Sequence, residues 1–579
     1  MKIMRKLTAV LSAAAMLAMQ GSLLPAQPVS AARDTHSDDW LHVEGDKIVD
    51  LDGNEVWLTG VNWFGYNVGS QVFDGVWSQN MHWCLQLIAD HGFNLLRVPM
   101  STQILLQWKE RAPEGPLVKV NTYENPELPE EGVEGGTPKY SLDIWDQAVE
   151  WCRELGIKIM VDIHCATTAS NGHQLPLWYD SNYSEDDWVE ALEWVADYYK
   201  DDDTIIAIDL KNEPHGKPEE GSFAKWDNSD DANNWKRAAE RGAKAVLDIN
   251  PNLLIMVEGI ECYPDFSRGA DWSTPSVDYA HYDEPSKIFG AWWGANFRGV
   301  RDYPIDLGKY QSQLVYSPHD YGPEVWKQSW FYLEDKGKTF SRETLLDDYW
   351  RDTWAFIAEE HIAPLLMGEW GGWVDEEHDK TGENVHWLQE IRDYMIDKHI
   401  HHTFWCFNEN SSDTGGLVYD NFGKWDDVKY DFIKSAIWQD ENGVFIGLDH
   451  TIPIGANGQT VTQYYGGTST HDQPEVPKVT TTAAPQPPAT TTTTVTTSGT
   501  TEPQGDLLPG DANCSGNVDV EDAVLICRIL AEDGEAVISD TGRRNADCDG
   551  NKGLTMDDST AILLVIAKLQ PASSLTTPK

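Results

Sequence analysis

Two glutamates in this chain stand where apolar runs end. Glu213 follows Asn212 and closes residues 204–210, whose β-branched and apolar side chains predict a short buried strand. Glu369 closes a second run of this kind, residues 363–369. Cleaving a glycosidic bond needs a carboxyl group that gives a proton and a carboxylate that meets the cationic carbon. The pair therefore predicts acetal hydrolysis without a metal, although one Asn-Glu-Pro alone also fits a helix cap or a turn.

The elements that must hold these glutamates follow from the periodicity of the sequence. Eight strand-like runs alternate with helical patterns between about residues 39 and 447, which predicts an α/β fold, a (β/α)8 barrel. The predicted strands are residues 56–66, 94–100, 158–165, 204–210, 252–260, 314–322, 363–369 and 402–408. The predicted helices include residues 83–91, 142–155, 186–199, 233–248, 344–360 and 383–398. A doubly wound open sheet is the second possibility, but no glycine-rich loop follows the first strand.

A short opening pair, residues 41–44 and 47–51 around Gly45-Asp46, predicts a hairpin that closes the bottom of the barrel. At the other end, almost every predicted strand finishes in a polar or aromatic residue. These residues are Arg97, His164, Asn212, Glu213, His319, Tyr321, Glu369 and Trp405. Each has an ordinary structural explanation by itself. Together, at the carboxyl ends of barrel strands, they predict one active site.

The start of the chain predicts secretion. Residues 1–32 combine basic residues, an apolar centre at residues 7–19 and small residues before Ala32, as a secretory signal peptide does. The apolar centre is short for an uncleaved membrane anchor, which is the alternative. We therefore expect a secreted, extracellular protein with no membrane partner.

Composition narrows the choice of partner. The formal net charge of −51 disfavours nucleic acid and anionic membranes as partners. The 26 tryptophans suit stacking on the apolar faces of sugar rings, and Trp63, Trp178, Trp292 and Trp293 are candidates for setting specificity. Trp178, Trp272 and Trp425 are candidate platforms along the cleft. A thiol nucleophile at Cys165, beside His164, is a minor alternative.

Two smaller regions follow the predicted barrel. Residues 448–504 contain a stretch that is either the end of the barrel domain or linker, and then a Thr/Pro-rich linker. Residues 505–572 carry two loops with oxygen-bearing residues at alternate positions, the pattern of Ca²⁺ loops, each leading into an apolar helix. The first set is Asp511, Asn513, Ser515, Asn517, Asp519 and Asp522; the second is Asp547, Asp549, Asn551, Gly553, Thr555 and Asp558. An acidic turn that mimics such a loop is the alternative.

The large region resembles glycoside hydrolase family 5. The resemblance rests on Asn212-Glu213-Pro214, residues 317–321 (SPHDY), residues 368–370 (GEW) and Phe404-Trp405, while residues 60–65 (GVNWFG) and 413–417 (DTGGL) are similar to its bacterial endoglucanases. It implies a (β/α)8 barrel that cleaves β-1,4-linked glucan with retention of configuration. The acidic insertion at residues 110–139 fits the family less well. Mannan, xyloglucan or mixed-linkage glucan stay open as substrates, and a non-catalytic sugar-binding scaffold component is a further alternative.

The resemblance also implies roles for the residues at the strand ends. Glu213 is then the acid/base and Glu369 the nucleophile; Asn212 binds the 2-hydroxyl, and Tyr321 holds Glu369. Arg97, His164 and His319 line the site, and Trp405 forms the floor of the subsite before the cut. On physical grounds, we expect the charge of Glu369 to raise the pKa of Glu213, and Arg97 to keep Glu369 ionised.

The C-terminal module resembles a dockerin, the all-α calcium-binding module that joins a secreted enzyme to a cohesin on a cellulosome scaffold. Both loops end in aspartate, as in dockerins, and Lys552 departs from the usual glycine at the sixth position of the second loop. The resemblance implies two Ca²⁺ ions and a cohesin partner.

Overall fold

The computed structural model divides the chain into two compact units at residues 476 and 477. It describes residues 39–111, 115–118, 120–128, 139–276, 286–333 and 338–466 of the first unit. In the second it describes residues 508–515, 517–518, 520–530, 538–548, 553–566 and 574–576. The predicted signal peptide and the Thr/Pro-rich linker lie outside these residues. Among the residues described, no helix has the length and apolar character to cross a membrane.

Eight parallel strands build the first unit. They are β1 (Thr59–Asn62), β2 (Leu95–Ser101), β3 (Lys158–Cys165), β4 (Ile205–Asp209), β5 (Leu254–Val257), β6 (Leu314–Tyr316), β7 (Leu366–Met367) and β8 (His401–Phe404). Hydrogen bonds join them in the order β6-β5-β4-β3-β2-β1-β8-β7, and every pair is parallel. Parallel bridges between Tyr316 and Leu365 and between His319 and Glu369 close the ring. The predicted (β/α)8 barrel is confirmed, and the open sheet is wrong.

Helices surround the barrel, and most lie close to their predicted bounds, but Thr102–Glu110 and Asp427–Ile433 were not predicted. The principal ones are Met81–Asp90, Thr102–Glu110, Ser141–Glu154, Glu185–Tyr198, Trp235–Ile249, Glu383–Lys398 and Asp427–Ile433. The predicted helix at 344–360 is one α-helical turn, Arg342–Leu345, a π-helix, Leu346–Ala355, and a second α-helical turn, Phe356–Glu359. Local chemistry sets the starts: Ser184 and Asp187 form a capping box, and Asn80 accepts the Trp83 N–H.

Most strands are shorter than the sequence predicted, above all β1, β5, β6 and β7, whereas β3 has its predicted bounds. Residues 317–321 and 368–371 continue the apolar runs but leave the ladder after β6 and β7. These residues are buried because they line the mouth of the barrel. The sequence pattern of a buried segment does not show where strand pairing stops, so the predicted strands were too long. The segment between β5 and β6 has no long helix among its described residues, only a small hairpin, Cys262–Pro264 with Ile288–Gly290, and short 3₁₀ turns.

The bottom of the barrel is closed by both ends of the domain. An antiparallel hairpin, His42–Glu44 with Lys47–Val49, lies where the sequence predicted one. Its buried residues pack with the amino-terminal residues of the strands and with the end of the domain; the cluster includes Leu41, Ile48, Leu95, Leu254, Leu366, Leu448 and Val461. The stretch that the sequence left between domain and linker therefore belongs to the domain at least through Val461.

A buried ion cluster at this pole, which we call the bottom clasp, consists of Asp39, Lys158, Asp449 and His450. Lys158 Nζ, at the start of β3, lies 2.6 Å from Asp39 Oδ2 and 3.2 Å from Asp449 Oδ2. His450 Nδ1 lies 2.6 Å from Asp39 Oδ1. The clasp ties the start and the end of the domain to a barrel strand.

The second unit contains the helices Val520–Leu530, Asp540–Ala546 and Met556–Ile566. Its core joins Ala523 and Ile526 of the first helix to Ile562 of the third, with Ala512 and Ala546 beside them. The first and third helices lie over the predicted apolar helices, and the short middle helix was not predicted.

Candidate active site

The polar residues predicted at the strand ends meet at the carboxyl-terminal mouth of the barrel. Arg97 lies within β2 and His164 within β3, while Glu213, Glu369 and Trp405 follow β4, β7 and β8. Asn212, His319 and Tyr321 stand beside them on the segments after β4 and β6. A barrel brings these residues together because the carboxyl ends of all its strands open at one rim.

Glu369 has both carboxyl oxygens engaged. Arg97 Nη1 donates to Oε1 at 2.8 Å, and the Tyr321 hydroxyl donates to Oε2 at 2.6 Å. Glu369 is only 4% exposed, so the guanidinium provides a close positive countercharge in a site with little water. A carboxylate oriented in this way has the geometry of a nucleophile.

Glu213 is more accessible and is held by different partners. His319 Nδ1 lies 3.1 Å from Glu213 Oε1, and Glu258 Oε2 accepts the backbone N–H of Glu213 at 2.7 Å. The backbone of Glu213 has φ +50°, in the left-handed region that non-glycine residues rarely adopt. Such strain persists at functional sites where the surroundings fix it.

The pKa of Glu213 departs from the sequence-based expectation. Burial raises the pKa of this carboxyl, but the hydrogen bond and the positive charge of His319 outweigh burial and lower it. The prediction that the neighbouring charge of Glu369 raises the pKa of Glu213 is wrong for the free site. The structure shows why: His319 lies between the two glutamates, with its Nδ1 3.1 Å from Glu213 and 3.7 Å from Glu369.

Arg97 is the fully buried centre of the site. Besides Glu369, its Nη2 lies 2.9 Å from Asp209, 3.3 Å from Asp162 and 3.4 Å from Glu258. Burial raises the pKa of Asp162 to about 7 and that of Asp209 to about 6, because one guanidinium only partly compensates several desolvated carboxylates. Arg97, His319 and Lys211 supply positive charge to this cluster.

The sequence analysis missed Asp162, Asp209 and Glu258. Each is a lone acidic residue inside or directly after an otherwise apolar strand, and each is fully buried. A buried carboxylate is tolerated only with a charged or hydrogen-bonding partner, so an acidic residue in such a run is itself a signal. It points to a cation at the same depth, which here is Arg97.

Trp405 and His164 form one wall. The Trp405 ring stacks on His164 at 5.8 Å between centroids and on Phe64 at 5.6 Å, and it remains half-buried. His164 Nδ1 lies 2.6 Å from Asp162 Oδ2, and burial lowers the pKa of His164 well below its usual range. A neutral His164 therefore donates a hydrogen bond from its Nδ1–H to Asp162 Oδ2. The side-chain oxygen of Asn212 accepts a hydrogen bond from Arg97 Nη2 at 3.1 Å.

Not every aromatic candidate reaches the cleft. Trp63 and Trp178 are fully buried, so the prediction of Trp178 as a sugar platform is wrong: its ring packs against Trp235 at 5.2 Å in the core. Trp272, Trp292 and Trp425 are half-buried and pack against the core. Trp293 is half-buried and stacks on His215, two residues after Glu213, at 3.8 Å. Burial raises the pKa of the Cys165 thiol to about 12, which excludes it as a thiolate nucleophile at neutral pH.

The oxygen ligands predicted in the second unit lie in loops held by carboxylates. Asp511 Oδ1 accepts the Ser515 N–H at 2.8 Å, and Asp522 Oδ1 accepts the Asn513 N–H at 3.0 Å. In the second loop, Asp558 accepts the N–H groups of Cys548 and Thr555, and Asp547 accepts that of Gly553. Asn517 is exposed.

The chemistry of this donor set fits Ca²⁺, because all the described candidates offer oxygen and Asp511, Asp522 and Asp558 are buried. Asp519, Asp549 and Asn551 lie outside the described residues, as does Lys552.

Known proteins share this architecture and much of this sequence. The model of the cellulase family, glycosyl hydrolase family 5, matches residues 49–411. Endoglucanase G of Acetivibrio thermocellus is 44% identical, with 88% of each chain covered, and endoglucanase B of the same organism is 42% identical, with 90% of this chain and 91% of the relative covered. A structure of the Pyrococcus horikoshii endocellulase in complex with cellotetraose is 30% identical with a TM-score of 0.57, and covers 69% of this chain and 98% of that chain.

Proposed function

The chain belongs to the cellulase family, glycosyl hydrolase family 5, and we propose that it is a secreted, retaining endo-β-1,4-glucanase. It is an enzyme of the endoglucanase class, and its substrate class is β-glucan. The proposal of retention rests on one observation. A carboxyl oxygen of Glu213 and a carboxyl oxygen of Glu369 lie within 4.8 Å of each other, and a ring nitrogen of His319 lies within the same distance of both. Retaining enzymes place their carboxyl groups about 5 Å apart, whereas inverting enzymes leave about 6.5–9.5 Å for a water molecule.

In the first step, a carboxylate oxygen of Glu369 attacks the anomeric carbon while Glu213 gives its proton to the departing glycosidic oxygen. A covalent glycosyl-enzyme ester forms, and the bond to the leaving sugar breaks. Arg97 and Tyr321 hold the attacking carboxylate in place. This positioning lowers the entropic part of the barrier.

In the second step, Glu213 removes a proton from water, which attacks the same carbon from the opposite side and releases Glu369. The charge of Glu369 is absent in the intermediate, so Glu213 then acts as a base. The hydrogen bond from His319 stabilises the ionised form of Glu213 for this step. Two inversions give net retention.

The sugar before the cut would lie on Trp405, whose ring is half-buried between Phe64 and His164. Because the side-chain oxygen of Asn212 accepts a hydrogen bond from Arg97 Nη2, the amide NH₂ of Asn212 is the group that can donate to the 2-hydroxyl of the sugar. An axial 2-hydroxyl, as in mannose, would lose this contact at a cost of about 1–3 kcal/mol.

Two measurements test the proposal. Carboxymethyl cellulose should lose viscosity well before much reducing sugar appears, and NMR of the first product from cellotetraose should show the β-anomer. Release of the α-anomer would contradict retention. A panel of cellulose, mannan, xyloglucan and mixed-linkage glucan, compared by kcat/KM, identifies the preferred substrate.

We further propose that the second unit is a dockerin that binds two Ca²⁺ ions and joins the enzyme to a cohesin on a cellulosome. The duplicated loops followed by apolar helices support this, as does their donor chemistry. The relative that matches 88% of this chain covers a span longer than residues 1–466, so its similarity continues beyond the barrel. The basic and apolar start of the chain supports secretion.

A further inference from the structure

Glu258 is a third glutamate in the site and takes no part in the steps above. It follows β5 directly, and its side chain is fully buried. Its two carboxyl oxygens face different parts of the machinery. Oε2 faces the backbone of Glu213, while Oε1 faces His319 and Arg97.

The contact with Glu213 fixes its backbone. Glu258 Oε2 accepts the Glu213 N–H at 2.7 Å, just where the backbone turns to φ +50°. The carboxyl oxygen satisfies this buried N–H, which would otherwise be left without a hydrogen-bond partner. Glu258 thereby helps hold the catalytic residue in a conformation that it would otherwise avoid.

The contact with His319 is ionic. His319 Nε2 lies 3.2 Å from Glu258 Oε1, but without the alignment of a good hydrogen bond. The other ring nitrogen, Nδ1, lies 3.1 Å from the Glu213 carboxyl. One imidazole therefore connects the carboxyl of Glu258 to the carboxyl of Glu213.

On the basis of the function proposed above, we propose that Glu258 is a positioning residue for the acid/base. It holds the backbone of Glu213 and keeps His319 charged, so that His319 donates to the Glu213 carboxyl. Glu258 need not touch substrate to do this.

The charged groups around His319 set the direction of the effect. Burial alone would lower the pKa of His319, but the carboxylates of Glu258, Glu369 and Glu213 raise it well above its ordinary value. Asp162 and Asp209 also interact with His319, while Arg97 and Lys211 place positive charge beside Glu258. Burial raises the pKa of Glu258 well above its ordinary value, with a contribution from the charge of Asp209, and the positive charges of His319 and Arg97 oppose this rise only in part.

The test is Glu258→Gln, which keeps shape but removes charge. The Glu213 N–H then donates to the amide oxygen of the new glutamine, so the glutamine NH₂ faces His319 Nε2. Because the NH₂ is a donor, Nε2 must accept and carries no proton, which makes the ring neutral. Without that positive charge the pKa of Glu213 rises. The alkaline limb of the pH profile of kcat/KM on cellotetraose should therefore move up by about one pH unit.

A second substrate separates this role from general damage. With 2,4-dinitrophenyl β-cellobioside, bond cleavage needs no proton, so Glu258→Gln should reduce kcat/KM less than with cellotetraose. Equal losses on both substrates, or an alkaline limb that stays in place or moves down, would overturn the proposal.

Glu261→Gln is the matched control. Glu261 follows the same strand and accepts the backbone N–H of Gly216 at 2.9 Å, but has no described contact with His319 or Arg97. We expect its pH profile to match the wild type. Thermal unfolding of each variant establishes that it is folded.

A measurement on the wild-type full chain covers the case in which Glu258→Gln does not fold. The ¹⁵N NMR of labelled histidine, assigned with His319→Gln, should show both ring nitrogens of His319 protonated at pH 7, and a neutral ring would overturn the proposal. If the wild type does not cleave β-1,4-glucan internally, the proposed function fails instead, whatever the state of His319.

Discussion

At the scale of single residues, the two glutamates differ in what surrounds them. Glu369 is clamped by Arg97 and Tyr321, whereas the carboxyl of Glu213 contacts His319 among the residues that the structure describes and is partly open to the cleft. A nucleophile benefits from a fixed, charged state, and an acid/base must exchange a proton with substrate and water. The difference in packing matches the different roles that we propose for the two glutamates.

Glu369→Gln should abolish turnover without unfolding the protein. The amide keeps the size of the side chain but cannot attack the anomeric carbon, so kcat on cellotetraose should fall by at least about 10⁴-fold. Glu376→Gln, at an exposed position on the same loop, is the control and should retain activity. Substantial turnover by Glu369→Gln would show that another group is the nucleophile.

Glu213→Ala should behave differently, because only the proton donor and base is lost. Cleavage of 2,4-dinitrophenyl β-cellobioside should proceed to the covalent intermediate and then stall, giving a burst of dinitrophenolate in stopped-flow absorbance. Azide, a nucleophile that needs no base, should restore steady turnover. If cellotetraose were hydrolysed at the wild-type rate, Glu213 would not be the acid.

At the scale of elements, periodicity predicted the barrel well. All eight strands and five of the principal helices lie where the apolar pattern predicted them, and residues 158–165 and 383–398 match in full. Strand ends were less accurate, because residues 317–321 stay buried at the rim, where an isolated bridge between His319 and Glu369 replaces the continuous ladder. The π-helical turns of Leu346–Ala355 were not predictable, since the sequence period differs little from that of an α-helix.

The site was predicted where a residue type implies its chemistry and missed where only three-dimensional packing assigns a role. Glu213 and Glu369 follow from their positions after strands. Glu258 has the same position, but its role depends on His319, which comes from a distant strand end. Trp178 shows the opposite error: an aromatic residue in a barrel loop suggested a platform, and tertiary packing buried it.

The bottom clasp should make stability depend on pH. Burial lowers the pKa of His450, but hydrogen bonds with Asp39 and Asp50 raise it to about 10. The folded protein therefore holds a proton that the unfolded chain releases near pH 6.5. The stabilisation is full below pH 6.5 and is lost as the pH rises to about 10.

Comparing His450→Gln with the wild type isolates this contribution. Urea unfolding followed by tryptophan fluorescence should show a deficit on the order of 3 kcal/mol at pH 6, shrinking as the pH approaches 10. His378→Gln is the control, because the ring of His378 is exposed beside Asp375. A deficit of the same size at both pH values would show that the charge of His450 is not what stabilises the clasp.

At the scale of the whole molecule, the two units should respond separately to calcium. If the second unit binds Ca²⁺, chelation should remove its helices and its cohesin binding, because carboxylates gathered in its loops would repel one another. Hydrolysis of carboxymethyl cellulose should continue, since the residues of the barrel site use Arg97 and His319 as their cations.

Limited proteolysis with and without EGTA, read by mass spectrometry, measures this directly. New cuts should appear between residues 508 and 566, and Asp558→Ala should produce those in the second loop without chelator. Protection of this region that EGTA leaves unchanged would contradict the calcium sites.

The bottom clasp has a topological consequence. The backbone N–H of His450 donates to Asp39 Oδ1 at 2.8 Å across 411 positions of sequence, and Tyr465 reaches back to the Glu55 carbonyl. The domain is thus nearly a closed loop of polypeptide, joined at the pole opposite its cleft. A circular permutant that links these ends and opens the chain in an exposed turn elsewhere should visit the eight strands in a rotated order and still assemble the same catalytic rim.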